Sequence, residues 1–435
     1  MKTLQDIVPL SVRQLVSQVQ SGDITPHEII QAYYTGIEHI EPKIHAWKTL
    51  NPEDIKRQLE RFEVALDLQS YPLAGIPIGV KDLINTKHLP TSYGSSLYEG
   101  YQPQENAAIV ERYLDLGGII LGKTVTTEFA FLNPGPTINP VSLNIDVTVT
   151  PGGSSSGSAA AVACAMTPLA FATQTAASIT RPAAFCGVVG YKPSYGLLTM
   201  QGVKPLSPSL DTLGMMGLRV DDVAYAVGCL IGHELMDFTI NPPVIGFLEE
   251  PLWAEITYDA KRVLDLAKQI LIKQGFTLKP IHLKELGEQL TQAQETIMYH
   301  EMASSLAPEW QQASASLSPK LGEYIKKGMA IGDDEVQAAF EQQRLGQEKM
   351  AQLFNEVDIL IAPSTLGEAP DGLDNTGNPI MSRLWTLLGN PTCHLPIGYS
   401  LRKLPLGLTV IGALHEDKRL LSYAHLLENA FTHSS

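Results

Sequence analysis

Cysteine is scarce: the 435 residues hold four, at 164, 186, 229 and 393, and no two form a Cys-x-x-Cys pair. That spacing excludes a zinc ribbon and argues against a disulfide framework. Basic charge is scarce too, with 31 Lys and Arg against 46 Asp and Glu, a net charge of −15. Phosphate affinity comes from clustered cations, so no direct nucleic-acid partner is expected. Long apolar runs are missing. The least polar stretch, Gly157 to Thr173, is alanine-rich and broken by Pro168, which reads as a buried helix and not a membrane span. Met1–Asp6 brings a carboxylate at once and no apolar segment, so no signal peptide and a cytoplasmic location are expected. None of the eleven histidines forms His-Glu-x-x-His: His27-Glu28, His233-Glu234, His300-Glu301 and His415-Glu416 all lack the second histidine. No metal and no cofactor are expected.

What the chain does have is apolar residue content, 44% against 18% charged, which excludes disorder and provides for a large core. Thr25-Pro26-His27-Glu28 is a capping box with proline at the first helical position, and Ile29, Ile30, Tyr33 and Ile37 follow at helical spacing. Further helices are expected over 52–66, 107–116, 260–275, 289–307, 333–355 and 422–431. Strands are expected over 73–80, 118–121, 244–248, 357–362 and 406–411. The centre, 150–217, is rich in Gly, Ser, Ala and Pro and almost uncharged, as loops around a site would be. Alternating strands and helices imply an α/β protein with helices on both faces of a sheet. One domain over 1–435 is expected, with a core at about 70–220 and a more helical outlying part at about 290–350.

Three short patterns match known motifs in the wrong context. Gly117–Thr124 satisfies the P-loop spacing, but Ile119-Ile120-Leu121 is strand-like where a phosphate-cradling loop should be. Gly153-Ser154-Ser155-Ser156-Gly157 has the form of a nucleophile elbow centred on Ser155. That reading needs a later acid and histidine, with His394 or His415 available, and a preceding apolar strand that is lacking. Ser400-Leu401-Arg402-Lys403 lies in a basic turn and reads as a solvated loop. Without histidine as base, a serine can still be activated by a lysine whose burial keeps it neutral. Lys81 ends the apolar run Ile76–Val80. Taken alone, an exposed strand-end lysine is its plainer reading. The Gly/Ser run at 152–158 and the Ala/Ser turn at 174–178 shift the balance, because such loops bring hydroxyls and free N–H groups together, as acyl transfer requires.

Several ordered segments together resemble the amidase signature family: Gly79-Val80-Lys81-Asp82, Pro151–Ser158, Thr175–Ser178 with Pro182–Gly187, Gly190–Gly196, Ser209–Gly214, Gly389-Asn390-Pro391 and Leu404–Leu408. The resemblance spans nearly the whole chain. It implies a mixed β-sheet core covered by helices on both faces, and a Ser–cis-Ser–Lys catalytic triad. By motif, Ser178 is the nucleophile, Ser154 the bridging serine after a cis peptide, and Lys81 the base. Backbone N–H groups of Thr175, Ala176 and Ala177 through Ser178 form the oxyanion hole, and Ser155 supports Lys81 by a hydrogen bond.

Phe131, just after Glu128-Phe129-Ala130, reads either as a substrate-pocket residue or as a plain core aromatic. Three departures stand out. Many members carry Asp-x-Gly-Gly-Ser-Ile-Arg, where this chain has Gln174-Thr175-Ala176-Ala177-Ser178-Ile179-Thr180-Arg181. The acid becomes Gln174, the arginine moves one place, and alanines replace glycines, which would strain any residue held at positive φ. The implied activity is hydrolysis of a small carboxamide or carbamoyl C–N bond through a serine acyl-enzyme. The expected partner is a small-molecule amide, with no nucleic acid, no membrane and at most a second copy in a homodimer. The alternatives are the A subunit of a tRNA-dependent amidotransferase, releasing ammonia from glutamine, and a non-catalytic binding protein on the same fold.

Overall fold

The computed structural model describes residues 2–64, 67–250 and 256–432; the last two residues of the helix expected over 52–66 lie outside them. Eleven strands make one sheet. They are β1 (Trp47–Leu50), β2 (Pro77–Lys81), β3 (Ile119–Thr124), β4 (Leu169–Gln174), β5 (Val189–Lys192), β6 (Thr212–Gly217), β7 (Val244–Glu250), β8 (Thr277–His282), β9 (Ile359–Pro363), β10 (Thr392–Tyr399) and β11 (Pro405–Ile411). Their order is β1-β3-β2-β4-β6-β5-β10-β11-β9-β7-β8. β2 runs parallel to both β3 and β4, and β7 runs parallel to β8 and β9. The other pairs are antiparallel. Helices cover both faces, so the fold is the mixed α/β sheet that the resemblance implies.

Some elements differ from expectation for definable reasons. β4, β5 and β6 lie in the small-residue stretch expected to be loop. Every residue of these three strands is buried, so no polar face alternates with an apolar one and the period-two signal is erased. The strand expected from 73 begins only at Pro77. Ile76 N–H donates to the Leu73 carbonyl and Gly75 takes φ +71°, so Leu73–Ile76 is a turn. The P-loop lookalike is strand through to Thr124. Lys123 is buried within β3, donating to the Ile84 carbonyl and to Thr91 Oγ1, with Asp82 at 3.7 Å. In the helical stretch, Lys284–Ser305 packs against Pro319–Met329, Asp333–Leu353 and Ile380–Leu387.

The parallel trio β3-β2-β4 positions the site. β2 and β4 run side by side, with Val80 opposite Phe171, so their carboxyl ends finish together. The connection from β3 to β4 crosses the sheet with the helix Ser156–Ala163, which packs on β2, β3 and β4. Its sequence, Ser-Gly-Ser-Ala-Ala-Ala-Val-Ala, lets it lie close. A side chain at Gly157 would run into the Ala46 carbonyl and the Val125 nitrogen. Crevices outside the carboxyl ends of such strands are where open α/β sheets place ligands.

Candidate active site

Lys81 is the last residue of β2 and is fully buried. Its Nζ donates to Ser154 Oγ at 2.8 Å and to Thr173 Oγ1 at 2.7 Å, with the Thr173 carbonyl at 3.4 Å. Burial disfavours the ammonium and holds this amine well below the ordinary lysine range, while the Asp211 carboxylate pulls weakly the other way. The adjacent Asp82 turns away from it. Asp82 accepts from Ser92 N and Oγ at 3.1 and 2.5 Å and faces Lys123.

Ser154 follows a cis peptide bond after Gly153 and leads into the helix Ser156–Ala163. Ser155 Oγ donates to the Thr173 carbonyl at 3.2 Å, so Ser155 and Lys81 meet on Thr173 and not on each other. The implied Ser155–Lys81 hydrogen bond is therefore replaced by a shared partner, which the sequence did not single out.

Ser178 lies in the turn between β4 and the helix Thr180–Cys186 and is 7% exposed. That turn is tied down from outside. The Thr175 carbonyl accepts from Gln294 Nε2 at 3.0 Å, the Ala176 carbonyl from Thr386 Oγ1 at 2.8 Å, and the Ala177 carbonyl from Arg181 N at 2.9 Å. Gln174 Oε1 accepts from Ile179 N and Thr180 N at 2.9 and 3.0 Å, and its Nε2 donates to Thr386 Oγ1 at 3.0 Å. Thr175 Oγ1 donates to Asp211 at 2.6 Å, and Asp211 also accepts from Leu206 N and Ser207 N at 2.8 and 3.0 Å. With all three carbonyls engaged, the N–H groups of Thr175, Ala176, Ala177 and Ser178 have no acceptor among the described residues. Neither alanine is at positive φ, so the replaced glycines cost no strain here. Gln174 thus holds the turn by a neutral amide where relatives of the common pattern have an acid.

The elbow alternative does not assemble. His394 is buried in β10 with Nδ1 at 2.6 Å from Ser364 Oγ, and burial pushes it down to about 3. His415 sits in a turn, its backbone N–H on Ser194 Oγ at 2.8 Å. Phe131 is buried with its ring edge-on to Tyr324 at 5.1 Å, and Tyr324 in turn faces Tyr299 at 5.0 Å. Sequence reasoning did not identify Thr173, Gln294 or Thr386. Asp211 lay in a quoted segment, Ser209–Gly214, without a role. Gln294 and Thr386 sit on helices with no motif, so nothing local marked them.

The sequence profile of the family described as Amidase matches residues 28–421. Two curated relatives each carry the name of the A subunit of glutamyl-tRNA(Gln) amidotransferase. The protein of Natranaerobius thermophilus is 31% identical, over 96% of this chain and 95% of its own. That of Halothermothrix orenii is 29% identical over 98% of both. Among solved structures, native peptide amidase from Stenotrophomonas maltophilia superposes with a TM-score of 0.81 at 25% identity, covering 97% of each chain. These relatives correct one expectation. A chain acting on a small molecule alone, with no nucleic acid and at most its own copy beside it, does not fit proteins named as one subunit of an enzyme for a charged tRNA. The average charge of −15 bears only on direct phosphate contact, and one chain of an assembly can serve such a reaction through its partners. Among the described residues no helix is long and apolar enough to cross a membrane.

Proposed function

The chain belongs to the amidase family, and from that footing we propose that it hydrolyses a carboxamide through an acyl-enzyme on Ser178. The observation that carries this reading is the buried, charge-disfavoured amine of Lys81 at 2.8 Å from Ser154 Oγ. In this scheme neutral Lys81 accepts the Ser154 hydroxyl proton as Ser154 accepts that of Ser178. Ser178 Oγ then bonds to the amide carbon. The carbonyl oxygen takes up negative charge facing the free N–H groups of 175–178, a preorganised donor set of the kind that stabilises tetrahedral intermediates. Collapse breaks the C–N bond, the leaving nitrogen receives its proton from Ser154, and Lys81 returns one to Ser154. Water then repeats the sequence on the ester and frees Ser178. The cytoplasm is the setting this reading implies.

For substrate and setting, the relatives favour the side-chain amide of glutamine, with ammonia passed to a partner chain. A second reading, hydrolysis of a small carboxamide or carbamoyl compound with ammonia released to water, is favoured by the departures at Gln174, Ala176, Ala177 and Arg181. An ammonia-release screen over glutamine and aliphatic, aromatic and carbamoyl amides tests the chemistry, with fluorophosphonate labelling to report on Ser178. Co-purification from the native cell tests the setting. Glutamine turnover that rises with a co-purified chain supports the first reading, and full turnover of another amide by the chain alone supports the second. No labelling and no turnover of any amide, with or without co-purified chains, would remove both.

A further inference from the structure

We infer that Arg383 and Gln294 act in series as positioning residues for the oxyanion donors, Arg383 fixing the Gln294 amide and Gln294 fixing the Ala176 N–H; this rests on the amidohydrolase reading above. Gln294 is fully buried on the helix Lys284–Ser305, 119 positions from the turn it holds. Its Nε2 donates to the Thr175 carbonyl at 3.0 Å and lies 3.5 Å from Met298 Sδ. Its Oε1 accepts from the guanidinium of Arg383, a buried residue of the helix Ile380–Leu387. Arg383 is held in turn by the Glu295 carboxylate at 3.1 Å and by a side-chain hydrogen bond with Tyr299. The two helices pack on each other and meet at this one amide.

A side-chain amide has a donating end and an accepting end, and its neighbours decide which way it lies. A guanidinium only donates, so it takes Oε1; a backbone carbonyl only accepts, so it takes Nε2. Turned round, the amide would set N–H against N–H and oxygen against oxygen, which is costly away from water. Arg383 thus sets the direction in which Gln294 donates. The Thr175 carbonyl and the Ala176 N–H belong to one planar peptide group. Fixing the oxygen fixes where that N–H points, and a donor on the oxygen polarises the peptide and strengthens its N–H. Ala176 N–H is one of the four at this turn without an acceptor among the described residues. The neighbouring anchor has no such fixed direction, because Thr386 has one hydroxyl proton and both the Ala176 and Ser382 carbonyls within reach. Arg383 therefore acts on the reacting carbonyl through Gln294 and the turn, and not by contact.

The test measures the rate of Ser178 labelling by a fluorophosphonate, whose phosphoryl oxygen needs the same donors, together with kcat and KM for an amide the wild type hydrolyses. Gln294→Met should lower the labelling rate and kcat by roughly 10- to 100-fold, with KM changed less than about threefold. Gln294→Glu keeps the shape and the Arg383 pairing but sets an acceptor against the Thr175 carbonyl, so it should be slower still. Packing alone would rank these two variants the other way. Arg383→Met should lose about tenfold, and Arg383→Lys, which still donates, should recover most of it. Action in series requires that Gln294→Met/Arg383→Met be no slower than Gln294→Met. Gln294→Glu faster than Gln294→Met, a double variant slowed by the product of the single losses, or losses confined to KM would overturn the proposal. Should the Gln294 variants not fold, the Arg383 pair decides: recovery in Arg383→Lys supports it, and a wild-type rate in Arg383→Met overturns it. A wild type that neither labels nor hydrolyses any amide would remove the amidohydrolase reading and this inference together. An active wild type with indifferent variants would remove this inference alone.

Discussion

At the level of single residues, two side chains carry the proposed chemistry. Ser178→Ala should leave the fold intact and lower kcat by roughly 10³-fold or more, since only binding and oxyanion stabilisation would remain. Near-normal turnover by the purified variant would disprove the assignment. Lys81 must be neutral to accept a proton, and its burial makes that state accessible below the usual lysine range. kcat/KM should accordingly rise with pH through one ionisation and level off once Lys81 is neutral. Asp211 is a positioning residue whose charge favours the protonated amine. Asp211→Asn removes that charge, so the rise should move to lower pH while kcat falls through the loosened Thr175 contact. A profile that stays in place would mean that Asp211 does not act on Lys81. Lys81→Arg should not restore activity, because guanidinium does not deprotonate in this range.

Elements decide how the turn carrying Ser178 is held. Thr386, on the helix Ile380–Leu387, anchors the Ala176 carbonyl and receives Gln174 Nε2. Thr386→Val keeps the shape and removes both bonds, so kcat should fall by about tenfold with little change in KM; an unchanged kcat would show the turn to be rigid without this anchor. Gly157→Ala forces a methyl against the Ala46 and Val125 backbone, and a loss of about 1–3 kcal/mol or more in stability is expected by denaturant unfolding. The same scale explains what the sequence made legible. Capping and amphipathic helices such as Pro26–Ile44 announce themselves locally, because Thr25 and Glu28 satisfy each other across the first turn. The ordered motifs disclosed the fold and the segments carrying Lys81, Ser154 and Ser178. Fully buried strands such as β4 showed no alternation, and the anchors Gln294 and Thr386 lie 119 and 210 positions from their loop partners. Contacts at such separations leave no spacing to read.

Across the whole molecule, one sheet runs from β1 near the N-terminus to β8, with β10 and β11 seated in its middle. We propose that residues 1–435 accordingly fold as one domain. Calorimetry should then give a single transition at one temperature, and a separate earlier or later melting of the 70–220 core would disprove it. The strand order also carries a consequence for synthesis on the ribosome. By residue 217 the emerging chain has produced β1 to β6 together with Lys81, Ser154 and Ser178, but neither Gln294 nor Thr386. At that stage β5 has β6 on one side and nothing on the other, because its second neighbour, β10, starts at Thr392. The nascent half-sheet therefore offers neighbouring chains an open edge, and Ser178 is translated long before the side chains that fix its turn. The turn that carries Ser178 gains its last anchors only near the end of translation, shortly before β10 closes the edge.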